Sequence, residues 1–82
     1  LLSQELQRVM DEAIEALPAE FRQVFVLRDI EEMSNAEAAE ILDLSVAAVK
    51  SRLHRARLKV RNRLAAYFSE NQKPKRAMGA QR

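Results

Sequence analysis

The sequence predicts an all-α domain of four helices ending in a helix-turn-helix. Three observations carry this. The 82 residues include one glycine and two prolines, Pro18 and Pro74, too few breakers for a turn-rich β fold. Apolar residues recur at three- and four-residue spacing, the period of a helix packed on one face. Serines stand just ahead of the short apolar stretches, where helix N-termini need a side-chain acceptor.

The first helix is expected over about Gln4–Leu17, with Ser3 as its cap. Leu6, Val9, Met10, Ala13, Ile14 and Leu17 form its apolar stripe. Pro18 suits the first turn of the next helix, where its missing N–H has no partner to lose. That second helix, about Pro18–Ile30, is the most apolar part of the chain. Phe21, Val24, Phe25, Val26, Leu27 and Ile30 place it at the centre of the core. Ser34 opens the third helix, and Glu37 three residues later completes a capping-box pattern. Ala38, Ala39, Ile41 and Leu42 are apolar, the two alanines small enough for close packing. Ser45 then caps a fourth helix over about Val46–Phe68. A short alanine-rich helix, a tight turn and a longer helix make a helix-turn-helix over about residues 34–60. Residues 1–68 are read as one helical domain, and 69–82 (SENQKPKRAMGAQR) as a flexible tail without periodicity.

Composition excludes several function classes. There is no cysteine and one histidine, His54, so neither a disulfide nor a Cys/His metal site is expected. No nucleophile–base pair, phosphate-binding glycine loop or paired carboxylates at active-site spacing is visible, so no enzyme and no cofactor is expected. No segment has the length of a membrane span or the look of a signal peptide, which predicts a cytoplasmic protein.

The net charge of +2 hides a separation. Residues 1–43 hold eleven acids and three bases, a net of −8, while residues 44–82 hold one acid and eleven bases, a net of +10. Such asymmetry points to two surfaces with different partners, or to halves that pair with each other. On the fourth helix, Val49, Leu53, Ala56, Val60, Leu64 and Tyr67 share one narrow stripe. Opposite lie Ala47, Ala48, Ser51, His54 and Arg55, with Leu58 further along. Lys50, Arg57 and Arg61 form one flank; Arg52, Lys59 and Arg63 form the other. Small residues between two basic rails suit a major groove. The backbone approaches the bases, Ser51, His54 and Arg55 reach base edges, and the flanking cations reach phosphates. The helix N-terminus at Ser45 offers N–H groups to a phosphate. A membrane-surface helix would instead show a wide apolar face.

Residues Leu17–Leu64 carry a resemblance. LP at 17–18, VLRDIE at 26–31, AEAAEILDLS at 36–45 and VKSRLHRAR at 49–57 are similar to region 4 of bacterial sigma factors, most of all the extracytoplasmic-function class. The resemblance covers about 48 of the 82 residues. It implies a helix-turn-helix without a wing that binds the −35 promoter element. Matched position by position, DNA contacts fall on Lys50, Ser51, Arg52, His54 and Arg55, and Arg28 matches a position that grips the DNA backbone. From the residues alone, Arg28 is equally a partner for Asp29 or Glu32. The resemblance further implies contact with the β flap of RNA polymerase core, occlusion by an anti-sigma factor, and a monomer. It includes no region 2, so this chain, as a fragment or a stand-alone domain, is expected to find a promoter element and not to open it. Glu32 and Asp43 stand where glycine is common in the family, and both positions favour a left-handed backbone. Ala47 and Ala48 replace a Gly-Thr pair. Two other readings stay open: a free-standing helix-turn-helix regulator dimerising on a palindrome, and a helical interaction module whose basic helix binds an acidic partner or a membrane.

Overall fold

The computed structural model describes the backbone of residues 3–80 and the side chains of residues 3–70. Helix α1 spans Gln4–Glu15 and α2 spans Ala19–Phe25. A π-helical segment, Val26–Ile30, continues α2 without a break. Helices α3, Asn35–Leu42, and α4, Val46–Ala80, complete the chain. No strand occurs among the described residues.

The helix starts follow the serines. The Ser3 hydroxyl accepts from the Leu6 N–H at 3.1 Å. Ser34 and Glu37 form the reciprocal box: the Glu37 N–H donates to Ser34 Oγ at 3.0 Å, and the Ser34 N–H donates to Glu37 Oε1 at 2.8 Å. Ser45 Oγ accepts from the Ala48 N–H at 3.0 Å. Pro18 stands one residue earlier than expected, as the N-cap of α2, and its carbonyl accepts from Phe21 and Arg22. Arg22 in turn closes the end of α1, its Nη1 donating to the carbonyls of Glu15 and Leu17.

The ends of the HTH elements also follow from backbone chemistry. Asp43 ends α3 at φ 58°, and the next N–H, of Leu44, donates to the Ala39 carbonyl at 2.9 Å. This is the six-residue closure by which a left-handed residue stops a helix. Glu32 adopts φ 60° after the π segment. Both positions match the left-handed expectation, and neither carries a glycine.

The core forms largely where the periodicity placed it, except that Val26, expected at its centre, is half-buried and lines an open groove. Val9, Ala13 and Leu17 bury one face of the first helical hairpin. Phe21, Val24 and Phe25 bury α2, and Ala38 and Ala39 bury α3. Val49, Leu53, Ala56 and Val60 bury α4, with Leu64 packed against their edge. Val24 and Val49 are fully enclosed, as are the small Ala38 and Ala56. Ile30 departs from expectation: it is exposed. At 100° per residue Ile30 lies about 180° from Phe21, so even a regular helix over 18–30 turns it away from the core face. The π turn that follows Phe25 is closed by the Glu31 N–H on the Val26 carbonyl at 2.8 Å, a widened turn between α2 and the helix-turn-helix. Helix α4 also runs past Phe68, because Ser69 and Glu70 contain nothing that stops a helix. The flexible tail expected over 69–82 lies, from residue 71 onward, outside the residues whose side chains are described.

Candidate nucleic-acid interface

Burial of one stripe of α4 fixes what the opposite stripe shows. With Val49, Leu53, Ala56 and Val60 against the core, Ala47, Lys50, Ser51, His54, Arg55 and Leu58 are all exposed. Small residues lie at the N-terminal end of this face, polar and basic ones along its centre. Ser45 is exposed at the same end. Its hydroxyl is committed to the Ala48 N–H, and the first-turn N–H groups of Val46 and Ala47 lie ahead of the intrahelical ladder. Five of the expected site residues, Ser45, Lys50, Ser51, His54 and Arg55, therefore share one open face.

Arg52 and Arg28 stand apart from that group. Arg52 is half-buried and turns toward α2, its Nη1 3.9 Å from Glu20 Oε1. Arg28 is also half-buried. Its Nε donates to Asn35 Oδ1 at 2.6 Å and its Nη1 donates to the Met33 carbonyl. Its hydrogen bonds thus go to the turn before α3 and to the first residue of α3, rather than to the neighbouring acids that composition offered. This leaves Arg28 a clamp on the start of the helix-turn-helix, and it stays part-exposed beside it.

The basic rails are not free-standing charges. Arg57 meets Asp29 in a two-bond fork, Nε to Oδ2 at 2.8 Å and Nη2 to Oδ1 at 2.7 Å. The Arg57 hydrogen bond holds the Asp29 carboxyl below its ordinary range, against the opposing effect of partial burial. The same bond raises Arg57 further. On the other rail, the Lys59 ammonium lies 5.6 Å from the centroid of the Phe21 ring, within the range of a cation–π contact. The expected phosphate rails are therefore partly tied to the acidic and aromatic groups of the first half. Periodicity locates a charge on a helix face; it does not show which residue of another helix stands opposite.

A second surface lies on α2, the π segment and α3. Arg22, Gln23, Val26, Leu27, Ile41 and Leu42 line an open apolar groove of about 370 Å³. Ile41 is 58% exposed there, a large apolar residue left in water beside other apolar groups. With Ala38, Ala39 and Leu42, Ile41 is expected from the sequence to pack between helices. The structure leaves it outside the helix contacts.

No group of side chains suited to a metal ion occurs among the described residues, and no described helix is long and apolar enough to cross a membrane. Residues 7–60 match the family described as "Sigma-70, region 4". The chain is 38% identical over 64 residues to the ECF RNA polymerase sigma-E factors of Haemophilus influenzae, Salmonella typhimurium and Escherichia coli. Each match covers 78% of this chain and 34% of the relative. The chain thus spans about a third of the length of the curated relatives it matches.

Proposed function

From the premise that this chain belongs to the sigma-70 region 4 family, in its extracytoplasmic-function class, we propose that it binds the −35 element of promoter DNA as part of transcription initiation by an alternative sigma factor. One observation carries the reading: the face of α4 opposite the core stripe is open and presents Lys50, Ser51, His54 and Arg55 together. Arg55, Ser51 and His54 read base edges, and Lys50 and Ser45 contact phosphates. Arg52 and Arg28 approach the backbone from the two edges of the motif. The protein works in the cytoplasm, as a monomer with respect to DNA, and the β flap of RNA polymerase core docks through the apolar groove lined by Val26, Leu27, Ile41 and Leu42. An anti-sigma factor competes for these surfaces.

The test is a selection of duplex sequences by a sigma polypeptide carrying this domain, bound to polymerase core. A single motif at a fixed distance upstream of the start supports the reading; a palindrome supports a free-standing dimeric regulator instead. On the selected site Arg55→Ala should cost about 1–3 kcal/mol and relax one base preference. Equal losses on the selected site and on random duplex would remove Arg55 from base readout.

A further inference from the structure

The Asp29–Arg57 fork joins residues 28 positions apart and is asymmetric in exposure. The Asp29 side chain is 24% exposed and that of Arg57 52%. The carboxylate is the anchored partner and the guanidinium the presented one. The fork engages Arg57 side-on, through Nε and Nη2. The Nη1 end takes no part in it. A guanidinium held in this way has lost most of its rotamer freedom while keeping an open donor edge, the form in which arginine binds a phosphate at least cost.

Position places that edge beside the open face. Arg57 follows Lys50 by seven residues and His54 by three, so all three lie along one line of α4. Seven residues carry the line about 10 Å from Lys50. If the N-terminal turns of α4 enter a major groove, Arg57 stands where the groove wall, and so the sugar–phosphate backbone, rises beside the helix. Arg28, adjacent to Asp29, is fixed in the same neighbourhood by Asn35 and the Met33 carbonyl. The π segment therefore carries one residue that clamps the start of α3 and the next that clamps α4.

We propose that Arg57 grips a phosphate of the DNA backbone at the rim of the groove and that Asp29 is its positioning residue. The proposal rests on the DNA-binding reading and adds a contact to it. It differs in sign from a plain surface ion pair. If Asp29 only neutralised Arg57, removing the carboxylate would free a cation and take a negative charge away from DNA, and affinity would rise. If Asp29 aims Arg57, removing the carboxylate weakens binding even though the protein becomes more positive.

The experiment measures fluorescence anisotropy of a short random-sequence duplex against salt concentration, with thermal melts confirming that each variant is folded. Arg57→Ala should make the log–log salt slope shallower by about 0.9, the contribution of one phosphate contact on B-form DNA. Asp29→Asn should lower affinity about two- to tenfold, the cost of one unfixed long side chain, and Asp29→Glu should restore most of it. Arg57→Lys keeps the charge but cannot make the fork, and should bind like Asp29→Asn. Tighter binding by Asp29→Asn, or an unchanged slope in Arg57→Ala, overturns the proposal while leaving the DNA-binding reading standing. Absence of any salt-dependent binding by the unsubstituted chain overturns both.

Discussion

The Tyr67 hydroxyl donates to Glu5 Oε2 at 3.0 Å, across 62 positions of sequence. The contact ties the distal part of α4 to the first turn of α1. Glu5 Oε2 also accepts from Arg8 Nη2 at 2.7 Å, so one carboxylate oxygen serves both helices. The Arg8 bond first and the Tyr67 bond second pull the Glu5 carboxyl down, and the Glu5 bond pushes the Tyr67 phenol up from its ordinary value of 10.0.

Tyr67 is the chain's single tyrosine, so its ionisation can be followed by ultraviolet difference spectroscopy. The folded pKa is raised, so this contact supports the fold below the ordinary tyrosine pKa and loses that support as pH rises through the folded value. The expected midpoint lies above 10.0, and Glu5→Gln should bring it down. A midpoint at or below the ordinary value would remove the contact from solution.

Asp29 gives the corresponding effect at acid pH. Its folded pKa is depressed, so the fork contributes fully above the ordinary carboxylate value and fades as pH falls through the lower folded one. Asp29→Asn should cost about 0.5–1 kcal/mol at neutral pH. The gap between variant and unsubstituted chain should begin to narrow at about pH 4 and close as pH falls through the lower folded value. Melting curves taken across that range check it; a gap that persists in acid would mean the loss does not come from the charge.

Ala38 and Ala56 are fully enclosed, on α3 and α4, where the two helices of the motif pack. Neither site has room for more atoms. Ala56→Leu should destabilise by about 1–3 kcal/mol through overpacking. Leu53→Ala, one turn away, should cost about 2–5 kcal/mol through the cavity it leaves. Urea denaturation monitored by circular dichroism measures both.

Glu32 holds φ 60°, a conformation that costs a residue with a Cβ about 1–2 kcal/mol. Glu32→Gly should therefore stabilise by about 0.5–1 kcal/mol after the added unfolded-state entropy of glycine is offset. Asp43→Gly should gain less, since aspartate tolerates that region better. A loss of stability at Glu32→Gly would show that its side chain contributes more than its backbone costs.

Much of this fold was legible because its signals are local. The Ser34–Glu37 box lies within four residues, and the α4 stripe repeats over several turns, so each is visible in the sequence alone. The left-handed turns at Glu32 and Asp43 were legible by position against a family in which glycine stands there. The π segment was not legible, because one added residue in a turn leaves no trace in hydrophobic period; Ile30 was misplaced for a simpler reason, since it stands about 180° from Phe21 on a regular helix. The open face at Ser51, His54 and Arg55 followed from the buried stripe by simple opposition. The partners of Arg28 and Arg57 did not. Asn35 and Asp29 reach them only after helices have packed, and no spacing along the chain encodes that meeting.

Along its centre line and its core stripe, helix α4 divides its side chains between two tasks, while Arg57, paired with Asp29, serves both. Val49, Leu53, Ala56 and Val60 hold the scaffold, while Ala47, Ser51, His54 and Arg55 are exposed and outside the core cluster. The outward positions can therefore be rewritten as a set, each variant keeping the same fold. A library randomised at those four sites would vary in target preference while stability stayed nearly constant, so evolution or an engineer can retune this domain without first rebuilding it.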